Sequence, residues 1–190
     1  MSLPLGACII TAVGERAFLS LGSNLEPESN LPLAVLGLRP LGRILACSNV
    51  YRNPAVGPTP GPDFLNAAVL LETELAPHVL RTELRSLEAR IGRLRTADKY
   101  APRTIDLDLV LFSALVVQVD ELNLPEPDLM IRPHLAIPLA ELDPERRHPI
   151  TGEGLSSIAA RLLPQAHMHL APEVTRLLRI AAGLEQGGEA

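Results

Sequence analysis

Apolar and polar positions recur with two different periods along this chain, and each change of period marks an element. Residues 17–21 form a short apolar run that ends in the turn-forming trio Gly22-Ser23-Asn24, which predicts a strand and its exit. Glu28 or Ser29 then caps a helix reaching about Leu38, with Leu31, Ala34, Val35 and Leu38 on one face. Residues 43–52 and 65–75 read as strands. Between them, residues 53–63 hold four prolines and two glycines, a content that excludes regular structure and predicts a loop. Leu80, Leu84, Leu87, Ile91 and Leu94 recur at spacings of four and three, the stripe of an amphipathic helix over 77–94 flanked by Arg81, Arg85 and Glu88.

The period then returns to two. In residues 105–112, Ile105, Leu107, Leu109 and Leu111 are expected on one face of a strand, with Asp106 and Asp108 on the other. The two acids would sit roughly 6.5 Å apart at Cα, close enough to converge on a cation. A further strand over 115–119 is expected to return beside this one. Weaker helical patterns follow over 138–142, 155–163 and 173–184, and residues 186–190 read as a frayed tail. The order strand-helix-strand-strand-helix-strand is that of a ferredoxin-like α+β sandwich with extra strands and C-terminal helices.

A chain of 190 residues, 47% hydrophobic, is long enough to bury a core and is expected to form one domain. The net charge of −5 speaks against a nucleic-acid binder, and no apolar run is long enough to span a membrane. Two cysteines, Cys8 and Cys47, make neither a disulfide framework nor a four-ligand zinc site and fit a reducing cytoplasm. Leu5-Gly6-Ala7-Cys8 has the form of a lipoprotein cleavage box. It lacks the basic and apolar segments that should precede one, so residues 1–16 are read as a leader.

Candidate chemistry centres on the acidic pair. Its company is Arg93, Arg95 and Arg103, with Lys99 and Tyr100, in a stretch that reads as a loop. Lys99 is the one lysine among 17 basic residues, so arginine forks are the means of holding anions, and no Gly-x-x-x-x-Gly-Lys loop is present. The chain has three phenylalanines, two tyrosines and no tryptophan. Phe64 at the end of the Pro/Gly loop and Tyr100 in the arginine-rich loop are placed to stack on a planar ligand. Paired acids alone also fit a Mg²⁺-dependent nuclease, and an exposed carboxylate pair on a half-buried sheet fits no chemistry at all.

The segments Ala17-Phe18-Leu19-Ser20-Leu21-Gly22-Ser23-Asn24, Tyr51-Arg52-Asn53-Pro54 with Gly57-Pro58, Asp63-Phe64-Leu65-Asn66-Ala67-Ala68, Gly92-Arg93 and Pro102-Arg103-Thr104-Ile105-Asp106-Leu107-Asp108 follow one another in a telling order. Over residues 18–144 the chain resembles the 6-hydroxymethyl-7,8-dihydropterin pyrophosphokinases of folate biosynthesis. The resemblance implies transfer of the β,γ-pyrophosphoryl group of ATP to the hydroxymethyl oxygen of the reduced pterin, with release of AMP. It implies that Asp106 and Asp108 hold two Mg²⁺ ions, and that Arg93, Arg103, Arg95 and Arg132 grip phosphate oxygens. Glu88 and Ile105 would lie on the nucleotide side. Asn66 would read the pterin edge, Phe64 would stack on its ring, and Asn53, Pro54 and Val56 would complete the edge contacts. Tyr100 takes the place of a lid aromatic, and residues 24–29, 53–63 and 93–101 correspond to the family's catalytic loops.

Two departures accompany the matches. Pro125-Glu126-Pro127 stands where the family usually has Pro-His-Pro, which puts an acid on the ATP side, and Glu121 also stands where a basic residue can occur. His134 stands where a second stacking aromatic, usually phenylalanine, is expected. These two keep open the alternative of a homologue that binds pterin or nucleotide without turnover. Residues 164–190 lie outside the resemblance.

Overall fold

The computed structural model describes residues 14–55, 61–94, 101–119 and 122–186. Strand β1 (Glu15–Ser23) is central: it pairs antiparallel with β4 (Phe64–Thr73) on one side and with β5 (Asp106–Phe112) on the other. The far edge of β4 is shared by β2 (Arg43–Cys47) and β3 (Tyr51–Asn53), and β8 (His169–Leu170) adds to β3. This order is compatible with the ferredoxin-like arrangement.

Helices cover both faces, which is why β1 and β4 read as nearly unbroken apolar runs. On one face α1 (Pro27–Leu38), α2 (Pro77–Arg90) and α5 (Pro172–Ala182) bury Leu31, Leu38, Leu80, Leu84 and Leu178 against Leu19, Leu21, Leu107 and Leu109. On the other, α3 (Pro133–Leu142) and α4 (Leu155–Leu162) bury Leu135, Leu139, Leu155 and Ile158 against Phe18, Leu70, Val110 and Leu111. No helix among the described residues is long and apolar enough to cross a membrane.

Several expectations are corrected in detail. Residues 43–52 are two strands, because Ser48 turns inward: its Oγ accepts from the Ala68 N–H, and Asn49 and Val50 bond to later helices. Helix α1 starts at Pro27, after Glu26 in the left-handed region, so neither Glu28 nor Ser29 is its cap. Helix α2 ends at Arg90, where Gly92 at φ 90° turns the chain away, leaving Leu94 exposed rather than in the stripe. The strand expected beside β5 instead forms a separate hairpin, β6 (Val117–Val119) with β7 (Leu122–Leu124), after a turn through Ser113 at φ 43°. The register between β1 and β5 shifts after Phe18, so Leu111 joins the second core with Phe18 while Phe112 faces the first. Alternation thus fails at a bulge, and Leu111 does not share the face of Ile105, Leu107 and Leu109.

Candidate active site

Strand register lays out the site. Directly opposed residues on antiparallel strands share a face, and two rows cross the sheet: Tyr51, Asn66, Gly22 and Asp106, then Ala68, Ser20 and Asp108. Asn66 and Asp106 are thus two strand spacings apart, roughly 9.5 Å, with only small β1 residues as the floor between them. Because α3 begins at Pro133, the sheet is left uncovered beyond its first turn. The result is a cavity of about 460 Å³ lined by Asn53, Pro54, Phe64 and Asn66 on one wall and Arg103, Asp106 and Asp108 on the other. Glu126, Asp128, Arg132, His134 and Leu135 close over it.

Gly22 is required by this layout. A Cβ there would come 2.9 Å from Asn66 Oδ1, too close for the amide to keep its place. Asn66 Nδ2 donates to Asn53 Oδ1 at 2.5 Å, and Asn53 Nδ2 donates to the Pro54 carbonyl at 3.1 Å. The Asn66 amide, only 6% exposed, therefore has one set orientation at the cavity wall.

The acidic wall is built differently. Arg93 Nη1 donates to Asp106 Oδ1, to Glu88 Oε1 at 2.6 Å and to the Ile105 carbonyl at 3.1 Å, while Arg103 Nη1 donates to Asp106 Oδ2 at 2.5 Å. Burial would raise the proton affinity of Asp106, but its bonds to Arg93 and Arg103 outweigh burial and hold the carboxyl below its ordinary range. The same balance raises Arg93: burial opposes its charge, and Asp106, Glu88 and Asp108 overcome that. Asp108 makes no hydrogen bond or ion pair with a described residue. Confinement in the cleft, together with the charges of Asp106, Glu88 and Glu126, pushes its pKa up to about 7, against a smaller opposing effect of Arg93.

Glu88 does not line the cavity. It is 1% exposed, beneath Arg93, and its Oε1 also accepts from the Leu107 N–H at 2.8 Å. The Ile105 side chain is wholly buried too, and its carbonyl is taken by Arg93. The structure thus gives both residues a supporting place under the arginine rather than one on the cavity wall. Arg132 is on that wall, with its Nε donating to Asp128 Oδ2 at 2.5 Å. His134 is held neutral down to about 4, by burial first and then by the Arg132 charge, against Asp128. A neutral imidazole can lie flat against a heteroaromatic ring. Val56, Arg95, Tyr100 and Glu121 lie outside the described residues.

Ser23 and Asn24 are expected to turn the chain, with Asn24 opening the loop over 24–29. Both are buried, and they tie the loops together. Asn24 Oδ1 accepts from the Arg103 N–H at 2.8 Å, its Nδ2 donates to the Pro62 carbonyl at 3.2 Å, and Ser23 Oγ donates to the Thr104 carbonyl at 2.5 Å. Their place in the Gly22-Ser23-Asn24 motif was visible, but long-range carbonyl partners leave no periodic trace.

The donor set fits a hard divalent cation. Asp106 and Asp108 present carboxylate oxygens on the same face of one strand, and the crowding that raises Asp108 is relieved by positive charge. Among the described residues no third histidine, cysteine or acid joins them in a metal-binding group. A pair of carboxylates suits Mg²⁺, which keeps water and phosphate oxygens as its other ligands.

A family model described as 7,8-dihydro-6-hydroxymethylpterin-pyrophosphokinase (HPPK) matches residues 18–144. The chain is 33% identical over 175 residues to 2-amino-4-hydroxy-6-hydroxymethyldihydropteridine pyrophosphokinase of Synechocystis, covering 90% of this chain and 84% of that one. It is 39% identical over 152 residues to the enzyme of the same name from Methylorubrum extorquens, covering 78% and 94%. In fold it resembles a crystal structure of Plasmodium falciparum HPPK-DHPS, with a TM-score of 0.62 at 13% identity. That likeness covers 80% of this chain and 45% of the Plasmodium chain, so this chain spans a little under half of it.

Proposed function

The chain belongs to the 7,8-dihydro-6-hydroxymethylpterin-pyrophosphokinase family, and from that premise we propose how its cleft performs the reaction. The activity is transfer of pyrophosphate from ATP to 6-hydroxymethyl-7,8-dihydropterin in folate biosynthesis. The hydroxymethyl oxygen bonds to the β-phosphorus, the bond from that phosphorus to the α,β-bridging oxygen breaks with its electron pair leaving on AMP, and the hydroxyl proton passes to solvent.

Asn66, in the orientation set by Asn53, reads the donor and acceptor edge of the pterin, and Phe64 and His134 hold its ring. The hydroxymethyl group then points across Gly22 toward the acidic wall. Arg103, Arg93 and Arg132 grip phosphate oxygens, a task suited to guanidinium because it keeps its charge and offers forked donors. Asp106 and Asp108 are the residues that would hold Mg²⁺, two ions in our reading, and when bound these offset the triphosphate charge and orient it. Catalysis is therefore positioning and electrostatics, with no covalent enzyme intermediate. Residues 1–190 count as one domain in our reading, and Val56, Tyr100 and Arg95 are further candidates, the first two for the pterin and the third for ATP.

The observation that carries this reading is the row Asn66, Gly22, Asp106, which sets a pterin-reading amide across a bare floor from a carboxylate pair flanked by arginine. AMP release is expected only when ATP, Mg²⁺ and hydroxymethyldihydropterin are all present. Asp108→Ala should lower kcat by about 10²–10³-fold. AMP formed without the pterin, or an Asp108→Ala variant as fast as the parent, would overturn the assignment.

A further inference from the structure

The matched family segment ends at residue 144, yet the chain beyond it reaches back to the pterin wall. We propose that the segment from β8 through α5 is a clasp that positions Asn53 and Asn66, with Thr175 as its key residue. The inference rests on the pterin-side assignment above.

Strand β3 is three residues long, and the loop that carries Pro54 leaves directly from it. A strand this short with one partner frays readily. Here it is gripped on its second edge, Tyr51 opposite Leu170 and Arg52 opposite His169. Just upstream, Val50 closes a ring of three hydrogen bonds with the C-terminal segment. The Val50 N–H donates to Thr175 Oγ1 at 2.8 Å, that hydroxyl donates to the Ala171 carbonyl at 3.0 Å, and the Ala171 N–H donates to the Val50 carbonyl at 2.8 Å. Thr175 is 5% exposed and Val50 wholly buried, so without the hydroxyl the Val50 N–H would have no water to turn to. Arg179 Nη2 adds a bond to Asn49 Oδ1 at 3.3 Å.

The same stretch is tied to α3. Glu141 accepts from the Asn49 N–H at 2.7 Å, from Asn49 Nδ2 at 3.2 Å and from the Tyr51 hydroxyl. Since α3 also carries His134, the two pterin walls are fastened to each other outside the cavity. From Val50 to Asn53 is a single short strand, and Asn53 Oδ1 fixes the Asn66 amide. A loosened clasp therefore misplaces the pterin-reading edge, while Asp106 and Asp108, on the opposite side of β1, keep their frame.

The test compares Thr175→Val, which keeps the shape and removes the hydroxyl, with Thr175→Ser, which restores it. KM for each substrate, kcat and Tm are measured, and the pterin is titrated in the presence of Mg²⁺ and a non-hydrolysable ATP analogue. Ile158→Val, in the core on the other side of the sheet, serves as a variant destabilised elsewhere. Thr175→Val should raise pterin KM and Kd about tenfold, with ATP KM and kcat within about twofold of the parent. Thr175→Ser and Ile158→Val should leave pterin affinity within about twofold. Unchanged pterin affinity in Thr175→Val, or a parallel loss of every parameter that tracks Tm in both Thr175→Val and Ile158→Val, overturns the clasp. If Thr175→Val does not fold, Arg179→Ala is read the same way, with an expected rise of about threefold. A parent protein that neither binds nor turns over the pterin refutes the function itself, a result distinct from either.

Discussion

Glu88→Gln probes the support beneath Arg93. Glu88 is 1% exposed, and a single oxygen, Oε1, receives both Arg93 Nη1 at 2.6 Å and the Leu107 N–H at 2.8 Å. Glutamine keeps an acceptor of the same shape at that point, so the backbone bond survives and only the charge is lost. A hydrogen bond between charged groups contributes about 1.5–3 kcal/mol, and one with fewer charges about 0.5–1.5, so the expected loss is about 1–2 kcal/mol. For a chain of this size that lowers Tm by about 2–8 °C. Glu88→Ala removes the acceptor altogether and leaves Arg93 short of one buried partner, which should cost about 3–5 kcal/mol. Urea unfolding gives both values, provided the m-value is unchanged. In a double-mutant cycle, Glu88→Gln and Arg93→Gln should couple by about 1 kcal/mol or more. A Glu88→Gln variant as stable as the parent, or additive effects in the cycle, would show that Arg93 does not depend on the buried acid. Glu88 would then have no supporting role beneath the arginine.

Gly22→Ala should fold, because the clashing Asn66 Oδ1 is the end of a side chain, yet displacing that amide should raise pterin KM about tenfold with ATP KM unchanged. Glu126→His should leave turnover equal or raise it, with a lower KM for ATP, since it removes a carboxylate from the cavity wall; a marked loss of kcat would mean that the acid has a duty of its own. His134 is neutral in the folded protein to about pH 4 but protonates near 6.5 when unfolded, so the unfolded chain takes up the proton first. Between pH 6.5 and 4 stability should therefore fall as pH falls, by at most about 1.4 kcal/mol per pH unit from this group, and then level off. Denaturation of His134→Gln across that range should show a shallower decline than the parent.

Much of the fold was legible because periodicity is a local property. The stripe Leu80, Leu84, Leu87 and the alternation of Leu107 and Leu109 with Asp106 and Asp108 both survive in the structure. What failed had non-local causes. The bulge that moves Leu111 to the other core comes from pairing with β1, and the break at Ser48 comes from its bonds to Ala68. The helical pattern over 138–142 covers only the second half of α3, which begins at Pro133 in its first turn, where a proline lacks nothing. At the site, the acids, arginines and Asn66 were visible as residue types in a recognisable order. The inward place of Glu88 was not, because a glutamate beside a helical stripe looks like any salt-bridged edge until the strand packed on it is known.

Asp106 and Asp108 show how register and neighbours divide the work of two identical side chains. They are adjacent outward positions on one strand, but Asp106 faces Gly22 and is met by two arginines, while Asp108 faces Ser20, with Glu126 among the nearby charges. Environment thus separates their proton affinities in opposite directions, the pattern that distinguishes roles among like groups. Arg103 links this wall to the other. Its guanidinium reaches Asp106 at 2.5 Å and also lies 5.8 Å from the centre of the Phe64 ring, while its backbone is held by Asn24. A cation–π contact of this kind contributes only about 0.5–1 kcal/mol where solvent reaches it. The charge-assisted bond to Asp106 is therefore the stronger of these two attachments, and it is what holds the Arg103 guanidinium on the acidic wall.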